Sequence, residues 1–384
     1  MKTNESKQQK ANLKLSYELA SVWFGAHVGP GFATGAMLCI YFTGCGWNAL
    51  WMPMVTMILE GIVFYSAMET ARTYHAFTYR KVVDVIFAPF NKVIGPIVDI
   101  VTCWTGFLGL GVTFAACGTI MNSMLGWPEL VGSTLMAVIS IVIAIYGQKL
   151  VRKVSGILSI ALLAVLIVTC VGTIALQWDT LAGYITSRYV PEGVTGWNIF
   201  MYIILYCAFC SGHSNHVVAC SDAITCEKES RWAAIFGALM NGSMMTLVVL
   251  SMLAFVPDVF GMDSPFVYAL GQTFPGAVSI IYAVFLNLAL ASSGVTIVYG
   301  LAKRAQDWVP KSVEKETSRL LIPSLIFSVA GIAVSSMGLY GLFSGPFKYN
   351  NYVYIFMVVI PYIFIAPMKY RKKQRELDQQ AQQS

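Results

Sequence analysis

Apolar runs of about 20 residues or more alternate along the chain with short polar clusters, and a run of about that length is what an α-helix needs to cross the hydrocarbon of a bilayer. The pattern predicts ten membrane helices, over residues 17–42, 48–73, 93–125, 128–148, 153–177, 197–225, 231–256, 276–303, 320–340 and 350–368. Two of them are interrupted at mid-depth. The first carries Gly25-Ala26-His27-Val28-Gly29-Pro30-Gly31-Phe32-Ala33-Thr34-Gly35, and the sixth carries Cys210-Ser211-Gly212-His213-Ser214-Asn215-His216. Hydrocarbon offers no hydrogen-bond partners, so an opened helix survives there only where it is buried in protein or faces a polar cavity. Small residues also let helices approach closely, and Gly25-x-x-x-Gly29 and Gly31-x-x-x-Gly35 fit that use. Pro30 argues against packing alone, because it removes a backbone donor and kinks the chain.

Composition agrees with this class. The chain is 57% hydrophobic and 11% charged, with mean hydropathy +0.66, an integral-membrane balance. The polar start, Met1 to Lys14, followed by a long apolar run is not the pattern of a cleaved signal peptide. The nine cysteines lie mostly inside apolar segments and read as small hydrophobes rather than a disulfide framework.

Charge then orients the helices. All but two of the 25 Lys and Arg, Arg188 and Lys348, fall in the tails or in segments 72–92, 149–153, 226–231 and 303–319. Positive residues are retained on the cytoplasmic side, so the partition predicts an even number of spans with both termini in the cytoplasm. The net charge of +6 is accounted for in this way and is no sign of nucleic-acid binding. The expected organisation is a cytoplasmic tail at 1–16, a first five-helix unit at 17–177, a second at 197–368 and a cytoplasmic tail at 369–384. Segments 178–196 and 257–275 are the longer outer connections. The second carries Pro257, Pro265 and Pro275, which suits either a re-entrant segment or a plain connector.

Spans one and six open the two five-helix halves. Interruptions at corresponding places in two halves are a sequence pointer to a transport site. The start of the half-helix at Gly31, Phe32 and Ala33 offers unpaired N–H groups that attract an anionic group. The carbonyls of Gly25 to Val28 attract a cation. Gly29, Ser211, Gly212, His213 and Asn215 complete the expected substrate-contacting backbone and side chains. Trp104 and Phe107 of span three are candidates to line the cavity, with Phe114 beside them, although aromatic residues at helical spacing also serve ordinary packing.

The Gly-Pro-Gly-Phe-Ala-Thr-Gly run, the broken sixth span and the ten-helix layout resemble the amino acid–polyamine–organocation superfamily. Within it the chain is similar to an amino-acid permease family of little-characterised bacterial membrane proteins. The resemblance covers about residues 15–370. It implies an all-α fold with a five-plus-five inverted repeat of the leucine-transporter type, and a substrate held between helices one, three, six and eight. Ala289-Leu290-Ala291-Ser292-Ser293 resembles the stretch that completes a sodium site in sodium-coupled members. Carried over, that site comprises the carbonyls of Gly25, Val28 and Ala289 and the hydroxyls of Ser292 and Ser293. Serines in membrane helices also bond to their own helix. Many superfamily members have a serine where Pro30 stands, so one amide that would hold a carboxylate is missing here.

Ionisable residues inside apolar spans are functional candidates by default. His27 and Glu60 are the candidates for proton coupling, since histidine titrates near neutrality and a carboxyl away from water holds its proton more tightly. Glu60 also suits a structural role, bonding freed amides of span six. Glu69 and Asp99 are expected to pair with nearby basic residues. Cys207, Cys210, His213, His216 and Cys220 recur every three or four residues, so an unbroken helix would place them on one face as ligands for zinc, copper or nickel. The natural-resistance-associated metal transporters carry Asp-Pro-Gly-Asn in their first helix. Here Gly29, Gly31 and Phe32 surround Pro30, so both side-chain ligands are missing.

The sequence therefore predicts a multi-pass protein of the cytoplasmic (inner) membrane. Its expected role is secondary transport of a small organic solute, an amino acid or a related carboxylate or amine, coupled to Na+ or H+. The alternative is a transition-metal transporter or metal-responsive sensor. No cofactor is expected beyond Na+ as a coupling ion. No nucleotide-binding Gly-x-x-x-x-Gly-Lys-[Ser/Thr] occurs and no nucleophile–base constellation shows, which argues against an ATP-driven pump and an enzyme.

Overall fold

The computed structural model describes residues 11–146, 148–274, 276–306, 309–310 and 316–383, with side chains for all of these except 148–161, 316 and 381–383. The basic residues expected at 2, 7, 10, 149, 152, 153, 311 and 315 therefore lie outside the described side chains, as does the first part of the expected fifth span. The fold is helical throughout the described residues. In chain order the helices are α1 (Leu13–His27), α2 (Pro30–Ala33), α3 (Ala36–Tyr41), α4 (Met52–Tyr74), α5 (Tyr79–Phe87), α6 (Asn91–Leu125), α7 (Glu129–Tyr146), α8 (Gln148–Leu176) and α9 (Trp178–Thr186). There follow α10 (Gly196–Ser211), α11 (Ser214–Ala219), α12 (Glu227–Leu253), α13 (Pro265–Thr273), α14 (Ala277–Ala305), α15 (Glu316–Ser335), α16 (Gly338–Ser344), α17 (Pro346–Tyr354) and α18 (Ala366–Gln383).

Among the described residues, seven helices are long and apolar enough to cross a membrane, or eight if the end of α8 and α9, bent by 73°, count as one span. The chain is thus a multi-pass membrane protein. The expected first and sixth spans fall below that length because each is divided: α1 has 15 residues and α10 has 16.

Small residues tie the helices into two packed groups. In the first, a Cβ on Gly237 of α12 would fall inside the Trp23 ring of α1, and Trp23 stacks on Phe64 of α4 with ring centres 4.3 Å apart. Gly61 of α4 lies against Ala234 and Ala238 of α12. In the second, a Cβ on Gly118 of α6 would lie 2.6 Å from Glu129 O of α7, and one on Gly111 would lie 2.7 Å from Val334 of α15. Ser133 of α7 donates to Phe114 O at 2.9 Å. Gly294 of α14 meets Ser140 of α7 and Thr113 of α6. In lipid, where apolar burial between helices gains little, such close approach supplies the attraction.

Segment 257–275 is more than a connector. Within it α13 buries Phe266, whose N–H donates to Thr34 O at 3.1 Å. At the opposite edge, Asp99 of α6 accepts from both Tyr79 and Arg80 of α5, and Glu69 holds Arg72 at 2.6 Å and Ser230 Oγ at 2.7 Å. Both acids expected to pair with basic residues do so.

Candidate functional site: two interrupted helices around His27

The first span opens at Val28–Gly29. The Gly29 N–H turns back to His27 O at 2.7 Å instead of reaching Gly25 O. Pro30 has no N–H to give Ala26 O. The helix-register acceptors of Gly25 and Ala26 are thereby released. Gly29 is extended (φ −108°, ψ −169°), and Pro30 starts a new turn, with Ala33 N–H bonded to Gly29 O. The Gly31 and Phe32 N–H groups stand in that first turn, where no carbonyl lies one turn back.

A second interruption follows, which the sequence pattern did not predict. Gly35 is left-handed (φ +79°), and a Cβ there would lie 2.6 Å from Met252 Sδ and 2.7 Å from Phe266 Cβ, so only glycine fits. The half-helix expected after Gly31 is thus a four-residue turn, with correspondingly little dipole. That turn is gripped by its neighbours. Tyr282 OH donates to Ala33 O at 2.5 Å, and Phe343 covers Gly31, whose Cβ would lie 2.5 Å from Phe343 Cζ.

The sixth span behaves differently. Gly212 and His213 remain in right-handed conformations, and their N–H groups bond three residues back, to Phe209 O and Cys210 O, at 3.3 and 2.8 Å. The expected opening is a tightened 3₁₀ link between α10 and α11.

His27, 2% exposed, joins three spans at the first break. Its Nδ1 lies 2.7 Å from Asn241 Oδ1 on α12, and its Nε2 lies 2.9 Å from Tyr206 OH on α10. Asn241 Nδ2 donates to Gly237 O at 2.8 Å, which leaves Oδ1 as an acceptor. His27 therefore carries its proton on Nδ1 and accepts from Tyr206 on Nε2, the tautomer that satisfies all three groups. Aromatic rings close around this centre. Phe32 meets the His27 ring edge-on at 5.2 Å, His213 lies 6.3 Å away, and Phe209 packs on both His213 and Phe347.

Glu60 of α4 is fully buried. Its Oε2 accepts from Cys207 Sγ at 2.9 Å and Ser211 Oγ at 3.0 Å, both on α10, while its Oε1 has no partner among the described residues. It holds side chains of the sixth span rather than the freed amides expected of it.

The predicted site residues divide into separate sets. Gly29, Gly31, Phe32 and His213 gather near His27 and Phe343, with Ala33 O hydrogen-bonded to Tyr282. Ser211, Gly212 and Asn215 instead line a cavity of about 20 Å³, room for a water molecule, together with Thr102, Tyr354 and Tyr79. Trp104 and Phe107 pack on each other with ring centres 5.6 Å apart, Trp104 remaining 48% exposed, and it is Val98, Val101 and Thr102 that α6 presents to this cavity. Phe114 is wholly buried against Gly331 of α15, a packing role.

For the predicted cation site, Gly25 is exposed and Val28, Ala289, Ser292 and Ser293 are half-buried. The expected donors are all oxygens, the chemistry of a hard cation, and the released Gly25 carbonyl is one of them. Cys207 is turned to Glu60, and His213 faces Phe209 and His27. Among the described residues no group of three or more His, Cys, Asp and Glu side chains is placed to hold a metal. The 3₁₀ link at Gly212 interrupts the helical register that would set these residues on one face, and Cys207 is hydrogen-bonded to Glu60. Tyr206, Asn241, Phe209, Phe343 and Phe347 were not singled out from the sequence. Asn241 carried a signal, as a lone amide in an apolar span.

No family model matches the chain. A curated protein from Bacillus subtilis (strain 168), "Uncharacterized membrane protein YkvI", is 23% identical over 334 residues, 85% of this chain and 91% of that one. Among solved structures, MhsT in complex with L-phenylalanine superposes with a TM-score of 0.53 at 15% identity, covering 95% of this chain and 98% of that one. A Na+-coupled sialic acid symporter in a substrate-bound outward-open state does so with 0.53 at 11% identity, covering 93% and 95%. Mhp1, a nucleobase-cation-symport-1 family transporter, gives 0.53 at 15% identity, covering 85% and 74%. The chain has a membrane transporter fold. Its interrupted first helix, with His27 at the opening, lies within that fold.

Proposed function

We propose that the chain is a secondary active transporter of a small organic solute, an amino acid or a related carboxylate or amine, coupled to Na+ or H+. The single observation that carries this is the opening at Val28–Gly29 inside a packed span. It frees the Gly25 and Ala26 carbonyls and the Gly31 and Phe32 amides at one place. On this reading the ten expected spans form two inverted five-helix units within the amino acid–polyamine–organocation superfamily. Both termini are in the cytoplasm of a cell whose inner membrane holds the protein.

The two packed groups give the reading a mechanical basis. His27, Trp23 and Glu60 join α1, α4, α10 and α12, while glycine contacts join α6, α7, α14 and α15. Rocking of the first group against the second exposes the centre alternately to the two sides. Gly29, Gly31, Phe32, Ala33 and His213 contact the solute, and Ser211, Gly212 and Asn215 border its path. Gly25, Val28, Ala289, Ser292 and Ser293 are the sodium candidates, and His27 and Glu60 the proton candidates. The aromatic lining and the short turn after Pro30 favour a solute whose apolar part contributes much of the binding.

Purified protein in liposomes, given a labelled amino-acid mixture under imposed Na+ or proton gradients, tests the reading. Accumulation driven by one gradient supports it. Uptake indifferent to both overturns symport. The metal reading has no supporting geometry among the described residues.

A further inference from the structure

A second feature lies at the far end of the chain, apart from the central site. Phe356, Ile360, Phe364 and Met368 are exposed at four-residue intervals, 69%, 37%, 63% and 65% respectively. That spacing sets them in one row along the last span. The row runs directly into Arg371, Lys372 and Arg375, all exposed. Glu376, the nearest acid on the same helix, is 4.0 Å from Lys373. None of Arg371, Lys372 and Arg375 has an acidic partner among the described residues.

Two shallow, open recesses lie on this surface. Phe364, Pro367, Met368, Arg371, Lys372, Arg375 and Glu376 line one. Met368 and Lys372 also border a second, against Tyr74 and Val85. The floor is braced. Lys369 Nζ donates to Val85 O and Ala88 O at the end of α5, both at 2.8 Å, and Tyr74 OH donates to Lys369 O at 3.0 Å. Asp84, the acid of the second recess, is already paired with Arg80 at 3.3 Å. Glu69 is paired with Arg72.

An apolar row that ends in three cations with no acidic partner among the described residues has the complementary chemistry of one class of ligand: acyl chain along the row, phosphate at its foot. We infer that the foot of the last span is a binding site for an anionic phospholipid. Arg371, Lys372 and Arg375 hold the headgroup, and Phe364 and Met368 the upper acyl chain. A bound lipid would bridge α18 to the Val85 end of α5, the helix that Arg80 and Tyr79 hold to Asp99. Charge on the headgroup, not apolar contact alone, sets the preference, because any phospholipid can lie along the row. The inference needs only the membrane topology and holds whatever the solute.

Full-length protein purified in a neutral detergent tests it, with phosphatidylglycerol, phosphatidylcholine or inorganic phosphate added. Lipid retention is read by native mass spectrometry and stability by thermal melting. Phosphatidylglycerol should be retained at least about tenfold over phosphatidylcholine, given three basic side chains at the headgroup, and should raise the melting temperature by about 2–4 °C. The triple variant Arg371→Gln, Lys372→Gln, Arg375→Gln should lose that preference while melting in lipid-free detergent like the wild type. Lys228→Gln, which removes a cation elsewhere, should keep it. Equal retention of the two lipids, or a triple variant that keeps the preference, overturns the inference. A shift produced equally by inorganic phosphate overturns the lipid and assigns a free-phosphate site. Should the triple variant not fold, Arg371→Gln and Arg375→Gln singly must each lower the preference, and an unchanged preference in both overturns the inference.

Discussion

The two interrupted spans look alike as strings of small and polar residues, yet only one of them opens. The difference lies in what each can do with its backbone. In the first, Pro30 removes a donor and Gly29 adopts an extended conformation, so the helix cannot close over the gap. In the second, Gly212 and His213 keep their donors and shorten the bonds to a 3₁₀ pattern. Glycine allows a helix to break, whereas proline with an extended neighbour obliges it to. The side chains follow the same division. At the open break His27 takes over the joining of three spans. At the tightened one Glu60 grips α10 just before the link.

Four substitutions would break or sharpen this contrast. The largest effect is expected from His27→Ala, which strands the Tyr206 hydroxyl and Asn241 Oδ1 in a buried place. The loss should be about 2–4 kcal/mol, seen as a lower thermal midpoint, and His27→Gln should recover part of it. Gly31→Ala comes next. Its methyl would press on the Phe343 ring at 2.5 Å, costing about 1–3 kcal/mol as overpacking and cutting gradient-driven uptake at least about tenfold, measured in liposomes. Glu60→Gln keeps a carbonyl oxygen for Cys207 and Ser211 and should shift stability by only about 1 kcal/mol. Loss of pH-driven uptake with exchange between unlabelled and labelled pools intact would mark Glu60 as the proton carrier. The smallest effect is expected at Gly212. A Cβ there meets Phe209 O and Tyr354 at 3.4 Å, ordinary contact, so Gly212→Ala should leave the melting temperature unchanged or raise it by the equivalent of about 0.5–1 kcal/mol. A collapse of uptake in Gly212→Ala with stability intact would show that the sixth span opens during the cycle after all.

Much of the scaffold was legible because hydrocarbon imposes a strict length and polarity rule. The expected spans at 48–73, 93–125, 231–256 and 276–303 correspond closely to α4, α6, α12 and α14. Pro30 marked the opening for a stated chemical reason. The second interruption at Gly35 was hidden, because the need for glycine there comes from Met252 and Phe266, more than 200 positions away. Local pattern also could not tell an opened helix from a tightened one at Gly212, since both are rich in small residues. Tyr206 and Asn241 were missed for a similar reason. Their role exists only once α1, α10 and α12 are brought together, and periodicity in one helix does not report that. Trp104 shows the converse error. A large aromatic in an apolar span attracts attention, but its place on the outward side of α6 is set by packing that the spacing does not encode.

The turn at Pro30–Ala33 is clamped from two directions, by Tyr282 on its last carbonyl and by Phe266 on the next. Across the gap, α1 is fastened instead to α12, through Asn12 and Ser16 on Glu229 and through Trp23 on Gly237. Along the backbone only Val28 and Gly29 connect the two. In the proposed rocking motion, a two-residue fulcrum of this kind would let α1 tilt as a lever with α12 while Tyr282 and Phe266 hold the short turn beyond it.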